Sequence, residues 1–185
     1  GIMFIVAAAA AVLAFGWRDM AQGSWQAVFV LGFALVCGAI GFVDDYAKIR
    51  KHENTGLTAG WKFLLQLAAA IAFLTLLNST HHLSPNLYIP FVNISRPLPW
   101  GVYLVFAAFV IVGCVNSVNL TDGLDGLAGS VTLAVSVFFA ALSQWWDKGA
   151  VGVFAGALAG GLLGFLVYNF HPAKVFMGDT GSLFL

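Results

Sequence analysis

The chain has 185 residues, of which 61% are hydrophobic and 9% charged, and its net charge at neutral pH is zero. A water-soluble domain is usually about a quarter charged, so this composition excludes one and points to a membrane protein. Zero net charge also excludes a nucleic-acid-binding patch or a polyacidic tail, and Cys37 and Cys114, both inside apolar runs, imply no disulfide framework.

A bilayer core takes roughly 20 apolar residues of helix. Ile2 to Phe15 reads as a first span cut at its start, and full spans follow at about Trp25 to Val43, Trp61 to Leu77, Trp100 to Val118, Leu127 to Trp146 and Ala150 to Tyr168. Past a polar entry, Val175 onward reads as the start of a seventh. Trp25, Trp61, Trp100, Trp145 and Trp146 fall at segment ends, where amphipathic rings sit at the headgroup level. The expected fold is therefore all-α, a polytopic transmembrane bundle of about six spans plus the start of a seventh. There is no initial methionine, and the final GSLFL opens an apolar segment, so residues 1–185 read as one transmembrane domain within a longer protein, without a cleaved signal peptide. Glycines at 152, 156, 160 and 164 line one face of the last full span and predict close approach of a neighbouring helix.

Span parity sorts the connections into two sets. Residues 44–60, 119–126 and 169–181, with Lys62 at their edge, hold Lys48, Arg50, Lys51, Lys62 and Lys174, against Arg18, Arg96 and Lys148 in the other set. The positive-inside rule places the richer set in the cytoplasm, with the segment 48–55 inside and 86–95 outside. Asp44, Asp45, Glu53, Asp122, Asp125 and Asp179 then share the cytoplasmic face although they are far apart in sequence.

Three motifs gather there: GFVDDYAKIRK (41–51), NLTDGLDG (119–126) and VFMGDTGS (175–182). A single Asp at a helix end is ordinary solvation, and the Asp44–Asp45 pair alone does not decide the matter. NLTDGLDG is different, because a loop needing only solubility would not combine backbone-freeing glycines with acceptor side chains at fixed short intervals. Converging carboxylates repel unless a cation joins them. Magnesium suits all-oxygen donors, whereas His52, His81, His82 and His171 lack zinc-ligand spacing. Lys48, Lys51 and Lys62 beside the acids suggest an anionic ligand, so the combination argues for phosphate chemistry at a membrane surface.

The motifs GFVDDYAKIRKHENTGL followed by WK, NSVNLTDGLDGLAG and YNFHPAKVFMGDTGSL resemble the phospho-N-acetylmuramoyl-pentapeptide transferase family, within the polyprenyl-phosphate N-acetylhexosamine-1-phosphate transferases. The resemblance implies a magnesium-dependent transferase of the bacterial cytoplasmic membrane. It would move phospho-MurNAc-pentapeptide from UDP-MurNAc-pentapeptide to undecaprenyl phosphate, releasing UMP and forming lipid I for peptidoglycan synthesis. It implies Asp44, Asp45 and Asp179 as catalytic residues and Asp179 and Asp122 as metal ligands. Asn119 and Asp122 would hold metal or diphosphate, and Lys48 and Lys62 would meet phosphate charge. Gly123, Asp125, Asn169 and Phe176 resemble a uridine pocket in which Phe176 stacks on the base. Membrane lipid is the further expected partner, and a homodimer is left open.

Asp44 is the suspected base in this reading. A phosphate monoester nevertheless ionises a second time near pH 6, so positioning, metal binding and proton removal stay open for Asp44 and Asp45. The runner-up within the enzyme class is a UDP-GlcNAc:undecaprenyl-phosphate transferase. A transporter would place ionisable residues at mid-span, and these spans hold no Asp, Glu, Lys or Arg there. A purely structural scaffold has no use for three glycine-flanked aspartate motifs.

Overall fold

The computed structural model describes residues 1–51, 56–89 and 91–185. Expectations placed on His52, Glu53 and Thr55, and on the Lys51 side chain, lie outside the described residues. In chain order the elements are α1 (Ile2–Phe15), α2 (Trp17–Ala21), α3 (Gln26–Lys51), α4 (Ala59–Ser79), β1 (Asn86–Ile89), β2 (Ile94–Pro97), α5 (Trp100–Thr121), α6 (Leu127–Trp145), α7 (Gly149–Asn169) and α8 (Gly178–Phe184). The protein is an all-α, multi-pass membrane bundle: α3 through α7 include five helices long and apolar enough to cross a bilayer. Helix α1, with 14 residues, and α8, with 7, are shorter than a full span. Large apolar side chains such as Val105, Phe109 and Val167 are exposed along these helices, as expected of surfaces whose solvent is lipid.

Two boundaries differ from the sequence reading. Helix α3 does not stop at Val43 but carries Asp44, Asp45 and Lys48 on further turns, because DDYAKIRK contains no breaker and Asp44 pairs with Lys48 at i,i+4. Helix α5 likewise runs to Thr121, so Asn119 is helical and only residues 122–126 form the connection to α6. The outer connection between α4 and α5 is an antiparallel hairpin, with Leu87 opposite Arg96 and Ile89 opposite Ile94, where the sequence reading has only a loop.

The core lies between α1, α3, α6, α7 and α8. Phe4 joins Phe165 and Phe184 at ring separations of 5.3 and 5.9 Å. A second cluster, Ala70 and Leu74 with Ala108 and Val112, seals α4 against α5. The glycine stripe of α7 behaves differently from its expectation: a methyl at Gly152 would strike Ser143 of α6, but Gly156, Gly160 and Gly164 face open space, and it is Gly161 that meets the α1 backbone. Helix α8 lies flush on α3 because Gly41 has no side chain. A methyl there would overlap the Asp179 carbonyl.

Candidate active site

Four segments far apart in sequence meet at one end of the bundle. The last turns of α3 bring Asp44, Asp45 and Lys48, the first turn of α4 brings Lys62, the last turn of α5 brings Asn119, and the first turn of α8 brings Asp179. Thr58 caps α4 by accepting the Trp61 N–H, which fixes where Lys62 enters.

Asp179 is the hub. Its Oδ2 accepts from Lys48 Nζ at 2.7 Å and Lys62 Nζ at 3.0 Å, and its Oδ1 accepts from Asn119 Nδ2 at 2.8 Å. Burial alone would raise its pKa. Its contacts with Asp44, Lys48, Asn119 and Lys62 outweigh that effect and hold the carboxyl well below the usual carboxylate range.

Asp44 is fully buried. Its Oδ1 accepts the Leu57 N–H at 2.7 Å, and its Oδ2 faces Lys48 at 2.7 Å and Lys62 at 3.2 Å as ion pairs. Asp45 serves the backbone of α8, accepting the Thr180 N–H at 2.9 Å, the Thr180 hydroxyl at 2.6 Å and the Asp179 N–H at 3.3 Å. It thus closes the N-terminus of the helix that carries Asp179, beside Gly178 in a left-handed conformation (φ 64°).

Asp44, Asp45 and Asp179 each present an oxygen within 4.8 Å of the others. Asp122, the residue that ends α5, stands outside this group of three. Its own burial, with the Asp179 charge adding, pushes its carboxyl up to about 6.

The remaining expected residues form a neighbouring assembly. Asn169 is buried, accepts the Gly126 N–H at 3.1 Å and donates to the Val175 carbonyl at 2.8 Å, sewing the turn that contains Gly123 to the segment before α8. Asp125 accepts the Ala173 N–H at 3.1 Å and meets His171 Nδ1 at 3.0 Å, contacts that lower its pKa. Phe176 is 69% exposed and lines a cavity of about 570 Å³ with Asp45, Tyr46, Lys48, Met177 and Gly178.

Sequence reasoning missed three participants. Ser182 is fully buried and accepts from Asn119 at 2.7 Å, Thr180 binds Asp45, and His171 pairs with Asp125. Ser182 had a readable signal, since it lies three residues after Asp179 and so on the same side of a helix.

The sequence pattern of Glycosyl transferase family 4 matches residues 26–185. A protein of Staphylococcus epidermidis named phospho-N-acetylmuramoyl-pentapeptide-transferase is 46% identical over 160 residues, covering 85% of this chain and 50% of that protein. One of the same name from Staphylococcus carnosus is 49% identical over 150 residues, covering 80% of this chain and 46% of that protein. Another of that name, from Caldanaerobacter subterraneus subsp. tengcongensis, is 45% identical over 184 residues, 99% of this chain and 55% of that protein. The chain spans about half the length of the curated relatives it matches. With the match running through all four segments that meet at Asp179, the chain belongs to glycosyl transferase family 4.

Proposed function

We propose that the full-length protein transfers phospho-MurNAc-pentapeptide from its UDP carrier to undecaprenyl phosphate, yielding lipid I and UMP on the cytoplasmic face of a bacterial inner membrane. The observation that carries this reading is the convergence of Lys48 and Lys62 on Asp179 beside Asp44 and Asp45 at the end of a lipid-embedded bundle. The names of the relatives support the choice of substrates.

Three carboxylates facing two ammonium groups leave a net negative charge, which would repel a diphosphate. A hard cation reverses that sign, and the all-oxygen donor set fits magnesium. The Lys48 ammonium already stands in cation position, at 2.7 Å from both Asp44 and Asp179 and 3.9 Å from Asp45. Asp179 and Asp44 would hold the ion, which when bound supplies charge neutralisation at the diphosphate, while the oxygens of Asp45 are taken by the start of α8.

The rest of the reaction falls to the chain's own side chains. Lys48 and Lys62 draw in and orient the phosphates, and Phe176 offers an exposed ring for the uracil. An oxygen of the lipid phosphate attacks the sugar-bearing phosphorus, the bond from that phosphorus to the bridging oxygen breaks, and UMP leaves with the electron pair. The lipid phosphate is already mostly dianionic at pH 7, so no proton has to be removed from it.

The direct test supplies the full-length protein with undecaprenyl phosphate, magnesium and radiolabelled UDP-MurNAc-pentapeptide or UDP-GlcNAc. Label from the muramoyl substrate enters the lipid phase. Label from UDP-GlcNAc alone would move the protein to the sister branch, and none from either would overturn the reading.

The orientation has its own check. In intact cells a cysteine at Asn93, in the hairpin connection, reacts with an impermeant thiol reagent, and one at Leu124, in the turn after α5, does not. The opposite pattern inverts the assignment of the site to the cytoplasm.

Asp45→Ala distinguishes positioning from chemistry. Losing the bonds to α8 lowers stability by about 1 kcal/mol, the usual worth of a helix cap. It also cuts turnover by roughly 10²-fold, as expected when Asp179 is displaced by about 1 Å. A variant with wild-type melting temperature and reduced turnover would return Asp45 to a direct chemical role.

A further inference from the structure

Directly beneath the site, two amides meet inside the membrane. Asn116 Nδ2 of α5 donates to Gln66 Oε1 of α4 at 2.6 Å and also to the carbonyl of Val112 at 2.8 Å. Gln66 is 1% exposed, and its own amide nitrogen has no acceptor among the described residues. Polar side chains within a span are costly, and a buried donor without a partner adds to that cost. Leucine at both positions would fill similar volume without it, so stability alone does not explain the pair.

Its place in the fold does. Gln66 lies four residues after Lys62 on α4, and Asn116 lies three residues before Asn119 on α5, so each amide sits one turn below a residue that grips Asp179. Elsewhere α4 and α5 meet through apolar side chains, Ala70, Leu74, Ala108 and Val112 with Leu67 and Leu104 beside them, none of which makes a directional contact that fixes an axial register. A directional bond does define one. The double donation by Asn116 strengthens this, because its amide is anchored to its own helix backbone while it reaches across.

We propose that the Gln66–Asn116 hydrogen bond is a positioning clamp, setting the register and rotation of α4 against α5 so that Lys62 and Asn119 converge on Asp179. Neither amide bonds to Asp179, Lys48 or Lys62, whose contacts lie one turn above. The kinetic consequence rests on the transferase reading above, whereas the geometric consequence does not.

The test uses the full-length protein with Gln66→Leu, Asn116→Leu and the double substitution. Each single variant loses about 10- to 100-fold in kcat, the scale expected for a sub-ångström to 1 Å misplacement, with the KM for the nucleotide sugar changed by less than about threefold. The double variant loses no more than the worse single one, because either change breaks the same bond. Melting temperature in detergent stays level or rises in Gln66→Leu and in the double variant, where the buried amide has been replaced by packing, and falls in Asn116→Leu, which strips the buried Gln66 amide of its partner. Independently of activity, spin labels on cysteines at Ala59 and Leu120, in a cysteine-free background, give one narrow distance in the parent. That distribution broadens in either single variant and no further in the double. An unchanged label distance, kcat losses that add in the double variant, or a kcat loss in Gln66→Leu that tracks a falling melting temperature would each overturn the clamp. A parent protein without transferase activity would count against the functional reading and leave the label distances to decide the clamp.

Discussion

Asp179→Asn in the full-length protein lowers turnover by about 10²- to 10³-fold, the loss that follows removal of a preorganised electrostatic group. The amide keeps the shape of the side chain and discards the charge that Lys48 and Lys62 share on Oδ2. Those contacts hold the native carboxyl well below the usual range, so it is ionised at every pH at which the protein works, and raising the pH cannot rescue the variant. A hard cation needs that charge, so the magnesium concentration giving half-maximal rate rises by about tenfold or more. The check is a magnesium titration of turnover in parent and variant. Wild-type turnover at the ordinary magnesium concentration would remove Asp179 from the centre of the site.

Asp44→Asn produces a deep and nearly pH-independent loss, about 10²-fold, because both oxygens of Asp44 are committed to contacts that fix the geometry of the site. One of its oxygens accepts the Leu57 N–H and the other faces two ammonium groups, and the side chain is fully buried. Loss of a base would hurt most below pH 6, where the lipid phosphate still holds a proton, and progressively less above it. The quantity to follow is the variant-to-parent ratio from pH 5 to 8. Asp122, pushed up to about 6 by burial and the Asp179 charge, falls within this range in the parent, so both rates are followed at every pH and compared as a ratio. A ratio climbing to one at pH 8 would restore Asp44 as a base.

The spans were legible because the bilayer imposes a length and a polarity that few sequences satisfy by accident. The convergence of DDYAK, NLTDG and MGDTG followed from counting those spans, and Asp179, Lys48, Lys62 and Asn119 do meet. The division of labour within the acidic pair was not legible, because it depends on contacts made by residues 134 and 135 positions away. Asp45 faces α8 and Asp44 faces the lysines, one step of helix apart. Asn116 opens the NSVNLTDGLDGLAG motif, but nothing local pairs it with Gln66, an amide 50 positions away within another span. The hairpin escaped for a simpler reason. Strands of four residues, NLYI and ISRP, are too short for alternation to stand out.

The short helix α8 has a consequence for how the protein is made. A ribosome delivers Asp44 and Lys48 together, and their pairing one helical turn apart lets α3 emerge with that acid already matched. Lys62 follows with α4. Its second counter-charge, Asp179, comes 117 residues later, after α5, α6 and α7 have been threaded. Until then Asp44 and Asp45 balance Lys48 and Lys62, two charges against two, and Asp44 is the carboxylate that both ammonium groups share. Docking of α8 along the smooth strip at Gly41 adds the third carboxylate, so the group of Asp44, Asp45 and Asp179 and its net negative charge exist only once a segment made 117 residues after Lys62 has packed against α3.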